Sequence, residues 1–141
     1  MENEKILEVS VKAVFISDGA VMFLRTSDGK IRDLPGGHVE FGETTIGALK
    51  RELKEELDFE YFAEPFLAHV WTYFSRDGKA HRINIVYGID VGGGCPQFIY
   101  RERDDVELVW LPEEKIKSMN FLSGMEESLF KALALKERMS L

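Results

Sequence analysis

The chain has 141 residues, 45% of them hydrophobic and 30% charged, and a net charge of -7. That length and usage predict one folded domain over residues 1–141 and argue against wholesale disorder. The acidic balance argues against nucleic-acid polymers as partners, since their binding rests on Lys and Arg neutralising phosphates.

No apolar run is long enough for a bilayer, no basic-then-apolar start marks a secretory signal, and Cys95 is the lone cysteine. A cytoplasmic chain with no membrane contact and no internal disulfide is the expectation.

In chain order, residues 7–16 and 20–26 read as strands joined by a turn at Ser17-Asp18-Gly19. A second turn at 27–30 leads through Ile31 and Leu34 to Pro35-Gly36-Gly37, which is expected to leave little regular structure and to let backbone approach a ligand. Residues 44–57 take a helical period. Residues 59–75 and 80–91 predict a long aromatic-rich hairpin turning at Asp77-Gly78, a surface able to make a homodimer contact. Gly92-Gly93-Gly94 breaks the chain, residues 100–105 read as an exposed loop, and 106–111 as a strand. Pro112, Glu113 and Glu114 suit the start of a short helix, and 124–139 predict a last one. The order implies an α/β fold, a mixed sheet flanked by helices.

The helix at 44–57 carries the chemistry. At 100° per residue, Ile46, Leu49, Leu53 and Leu57 fall within one arc of about 80°, the expected core stripe. Glu52, Glu55 and Glu56 share a neighbouring arc of about 100° with Thr45 and Ala48. Charged helix residues are usually a solvated face, but like charges four apart, such as Glu52 and Glu56, destabilise an isolated helix. Natural sequences break such local rules at functional sites. Clustered hard oxygen ligands suit Mg²⁺, with Mn²⁺ as a substitute.

Gly37, five residues, Glu43, seven residues, Arg51-Glu52-Leu53, any residue, then Glu55-Glu56 follow in the order of the Nudix box. The segment 37–59 resembles that box at every fixed position but one, Asp58 standing where the family has glycine. Aspartate is among the few other residues that visit the left-handed conformation such a helix end needs. The resemblance implies a Nudix-like α/β/α sandwich and metal-dependent hydrolysis of a nucleoside diphosphate linked to another group. By position it implies Glu52, Glu55, Glu56 and the Gly37 carbonyl as metal ligands, with Arg51 orienting the glutamates through Glu43. Glu52 is the first choice for the base that takes a proton from the attacking water; Glu107 is the second and Glu102 the third.

Arg25, at a position where the family often carries arginine, is a candidate phosphate contact or a plain surface residue. His81 and Arg82, past the hairpin turn, are substrate candidates if that hairpin folds over the helix; His38 and His69 read more readily as structural. Trp71, Tyr73, Tyr87 and Trp110 offer stacking surfaces, although aromatics in strands are more often core. Arg32 replaces a tryptophan common in the family, and Ser75 or Arg76 stands where many ADP-ribose hydrolases have proline, so no subfamily signature is met. A non-catalytic Nudix-fold sensor is the alternative reading. It is expected to lose box carboxylates, and this chain keeps them.

Overall fold

The computed structural model of the chain describes residues 5–60, 64–119 and 125–139, with Arg32 described by its backbone alone. Its elements are β1 (Leu7–Ser17), β2 (Ala20–Thr26), β3 (Ile31–Asp33), β4 (Gly36–His38), α1 (Thr45–Leu57), β5 (Phe66–Phe74), β6 (His81–Asp90), β7 (Val106–Pro112), α2 (Glu113–Lys117) and α3 (Met125–Met139).

The strands form one mixed sheet in the order β3-β2-β1-β6-β5, with β7 on β2 and β4 on β1. β1 and β6 run parallel through ten residue pairs, from Leu7↔His81 to Ile16↔Asp90. β1 meets β2 only at Ile16↔Val21 and Ser17↔Ala20. Its earlier part, Ser10 to Lys12, pairs instead with His38 to Gly36 of β4. The sheet therefore forks between β1 and β2, and β4 lies in the fork.

Side chains alternate across the strands and build two half-cores. Val11, Ala13, Phe15, Met22 and Leu108 pack with Leu49, Leu53 and Leu57 of α1. Val14, Ile16, Val21, Phe23 and Val86 pack on the other face with Ile116 of α2 and Leu129 of α3. Phe15, Leu49, Leu53 and Leu129 are fully buried, each contributing roughly 1.5–3 kcal/mol of hydrophobic free energy. The result is an α/β/α sandwich. No helix of the described residues is long and apolar enough to cross a membrane.

Three expectations are corrected. Gly36 and Gly37 are not irregular: they pair with β1, because a Cβ at Gly36 (φ +141°) would overlap the Val11 carbonyl, so only glycine admits this approach. The first hairpin strand begins at Phe66, so Phe59 lies outside it, and residues 61–63 fall outside the described ones. The buried stripe of α1 is wider than its leucines, since Ala48 and Glu56 are buried too while Ile46 is only partly so.

Candidate active site

The glutamate helix starts and stops by local chemistry. The Thr44 side chain accepts from the Gly47 N–H at 3.0 Å, capping α1. At the far end Asp58 adopts the left-handed conformation (φ 53°, ψ 33°), and the Phe59 N–H closes on the Leu53 carbonyl at 3.2 Å. Aspartate thus serves where the family has glycine.

Glu56 is 3% exposed and accepts a hydrogen bond from the Gly36 N–H at 3.0 Å. Burial pushes its carboxyl up to about 7, against the pull of the Gly36 N–H and the Lys12 charge. Tyr100 borders the same carboxylate, and burial with the Glu56 charge raises its phenol to about 12. The segment after β6 closes over this end of α1. The Arg101 N–H donates to the Glu56 carbonyl at 2.7 Å, and Trp110 Nε1 donates to the Pro96 carbonyl at 2.8 Å. Phe98 packs on Phe59 with ring centroids 5.6 Å apart.

Arg51 is the hub of the other carboxylates. Its Nε and Nη2 donate to the two Glu43 oxygens at 2.7 and 2.9 Å, and Nη2 also reaches the His38 carbonyl at 3.0 Å. Its Nη1 donates to Glu52 Oε1 at 2.9 Å and lies 3.5 Å from Glu55 Oε2. The guanidinium bonded to it holds Glu43 down at about 2, and Glu43 in turn raises the Arg51 pKa. The Glu52 carboxylate rests against Gly37, where any Cβ would collide with it. Gly37 is thus a cradle for Glu52.

Among the described residues no three acidic, histidine or cysteine side chains converge tightly enough to cage a cation. Glu52 and Glu55 lean on Arg51 while Glu56 turns to Gly36, as like charges must when only internal partners are present. The donor set still fits a hard divalent ion: three carboxylates from one helix face, and Gly37 pressed on one of them.

The other candidates lie apart. Arg25 donates to Glu107 Oε1 through Nε and Nη2 at 3.0 and 2.6 Å, so the two are each other's partner across β2 and β7. Glu102 is exposed in the loop before β7. His81 stacks on Phe74 at 4.5 Å. His38 lies 3.1 Å from Glu8, and His69 is 3.2 Å from Ser128 of α3. The hairpin lies within the sheet, and Arg82 lines a cavity on the α3 side of it with Trp71 and Tyr73. Tyr87 and Trp110 pack in the α1 half-core.

Sequence reasoning missed Lys12 and Asn84. Both lie mid-strand and look like ordinary members of apolar runs. Lys12 is ion-paired to Asp33 at 2.7 Å and sits opposite Gly36 in the ladder, and Asn84 is 5% exposed in the same cavity.

The chain is 34% identical over 89 residues to an ADP-ribose pyrophosphatase of Methanocaldococcus jannaschii, covering 61% of this chain and 52% of the relative. It is 33% identical over 106 residues to an uncharacterized Nudix hydrolase of Nostoc, covering 71% of this chain and 57% of that protein. The chain thus spans about half the length of the curated relatives it matches. The crystal structure of a MutT protein from Methanosarcina mazei superposes with a TM-score of 0.72 at 26% identity, over 96% of this chain and 98% of the other. A MutT Nudix hydrolase from Burkholderia pseudomallei shares the fold at TM-score 0.72 and 21% identity, over 90% of this chain and 98% of its own. The NUDIX domain pattern matches residues 7–132, and with the box seated at the fork of the sheet, the chain belongs to the Nudix family.

Proposed function

We propose that the chain hydrolyses a pyrophosphate bond in a nucleoside diphosphate linked to another group. Mg²⁺, or Mn²⁺ in its place, would be held by Glu52, Glu55, Glu56 and the Gly37 carbonyl. The observation that carries this reading is the complete box braced in place: Glu56 bonded to Gly36, Glu52 cradled on Gly37, and Arg51 joining Glu43 to Glu52. A bound divalent ion supplies neutralisation of the diphosphate and of the charge that develops at phosphorus.

The chain's own groups do the rest. Glu52 takes the proton from the water that attacks phosphorus in line. Its Oε1 is steadied by Arg51 and its Oε2 accepts no hydrogen bond among the described residues, which leaves one oxygen for that water. Glu43 fixes the tilt of the guanidinium and, through it, the position of Glu52. The Gly36 N–H of β4 holds the buried Glu56 carboxylate in place. The same reading has a single domain acting in the cytoplasm on a diffusible nucleotide derivative, without a nucleic-acid polymer as partner.

The test is a panel of nucleoside di- and triphosphates, nucleotide sugars, ADP-ribose and dinucleoside polyphosphates with Mg²⁺, scored by released phosphate or nucleotide. Metal-dependent turnover of at least one member is expected. A wholly silent panel with tight nucleotide binding would replace this reading by the sensor.

A further inference from the structure

β5 is the last strand of the sheet and pairs only with β6 among the described residues. Its nine residues, Phe66–Phe74, include no Lys, Arg, Asp, Glu or Pro, the residues that ordinarily keep an edge strand from pairing with another chain. A bulge between Leu67 and His69 interrupts one end, and from His69 to Phe74 the edge is regular.

The face of β5 away from α3 has no cover. α1 packs on β1 and β4, and Leu67, Val70 and Phe74 are 57%, 51% and 67% exposed. Leu7, opposite His81 in the parallel ladder, adjoins Phe74 and is more than half exposed as well. Single exposed apolar side chains mean little; four on one sheet face mark a contact surface.

The charges at the two ends of β5 are opposite and unused. Glu64 precedes the strand, Arg76 and Lys79 stand on the turn after it, and none of the three makes an ion pair among the described residues. Asp77, the acid of that turn, is engaged inside it by the Ser75 hydroxyl and the Lys79 N–H. Glu64 lies six positions before Val70 and Arg76 six after it, as 70 less 64 and 76 less 70 both give.

We propose that a second copy of this chain pairs with the β5 edge, antiparallel about a two-fold axis at Val70, so that the two sheets become one. The axis sets Glu64 of each copy beside Arg76 of the other, twice over. The extra residue of the bulge displaces Glu64 by about 3.3 Å, which a long arginine side chain spans. Val70 then meets its own copy, Phe74 falls diagonally from Leu67 of the other chain, and the outward N–H and C=O groups of residues 69–74 gain partners. An unrelated strand has no reason to match this symmetric placement of charge. A polyanion or polycation finds no charge on β5 to hold. Two copies of net charge -7 repel elsewhere, and this strip is where contact is neutral or paired.

Sedimentation velocity of the whole chain over about 1–300 µM tests this, and a monomer–dimer equilibrium in that range, usual for a small interface, is expected. Val70→Lys puts a guarding charge on the axis and should weaken dimerisation at least about tenfold, with the melting curve showing that the fold survives. Arg76→Glu should weaken it by a similar factor, and Glu64→Arg combined with Arg76→Glu, which exchanges the two charges, should restore it. In a Cys95→Ser background, Val70→Cys should give a disulfide-linked dimer on mild oxidation, while Phe41→Cys, exposed on the loop before α1, should not. A monomer at every concentration would overturn the proposal and leave the edge to a foreign strand. So would a dimer indifferent to Val70→Lys, or a charge-exchanged protein that stays monomeric.

Discussion

Arg51 grips both carboxylate oxygens of Glu43, eight positions before it in the chain, at 2.7 and 2.9 Å. This bond gives acid sensitivity a defined window. The Glu43 carboxyl falls from its ordinary 4.5 to about 2 in the folded chain, so its contribution to stability is complete above about 4.5 and is lost as pH drops towards 2. Urea midpoints taken down a pH series should show that extra loss in the parent and not in Glu43→Gln. Parallel curves for the two proteins would contradict it.

Glu56 titrates the opposite way. Its carboxyl rises from 4.5 to about 7, so its own contribution to the stability of the metal-free fold is greatest below about 4.5 and is lost as pH climbs through 7. Metal-free Glu56→Gln should therefore be more stable than the parent at pH 8, by at most about 3 kcal/mol. Added Mg²⁺ should raise the melting temperature of the parent and not of the variant.

Turnover separates ligands from braces. Glu55→Gln and Glu56→Gln should each cost at least about 100-fold in kcat with the fold intact, at or beyond the upper end of the 10–100-fold usual for groups that merely orient a metal ligand. A Glu55→Gln protein running at the parent rate would remove Glu55 from the ligand set. Glu107, bonded to Arg25, should lose far less as Gln than Glu52 does; the reverse ranking would move the proton acceptor to β7.

Two adjacent glycines should fail differently. Gly36→Ala drives a Cβ into the Val11 carbonyl of the neighbouring strand and should destabilise by on the order of 3 kcal/mol. Gly37→Ala meets the movable Glu52 carboxylate first, so its melting temperature should stay near the parent's while turnover collapses. Thermal melts paired with rate measurements distinguish the two.

Much of the fold is legible because its signals are local. Asp18-Gly19 and Asp77-Gly78 demand turns, and Thr44 and Asp58 bracket α1 by their own backbone and side-chain chemistry. The resemblance to the box likewise implies Arg51 beside Glu43, and the two side chains are bonded to each other. What escapes is set by distant strands. Glu56 looks like a surface glutamate until Arg101 and Tyr100 arrive over it. The cavity depends on Lys12, Asn84 and Trp71 being brought together by β1, β6 and β5, and no periodicity within any one of them reports it. Arg25 and Glu107 pair for the same reason, through a ladder joining the second strand to the last.

The parallel ladder between β1 and β6 also sets when the site can exist. Every one of its pairs spans 74 positions, as 81 less 7 and 90 less 16 both give. Closing so long a loop is slow compared with winding α1. During synthesis the box emerges early and can turn helical, yet Gly36 hangs on β1, and the Glu56 carbonyl waits for the Arg101 N–H. Ribosome-bound chains halted before residue 101 should therefore carry every glutamate of the box and still lack the buried carboxylate around which the centre is built.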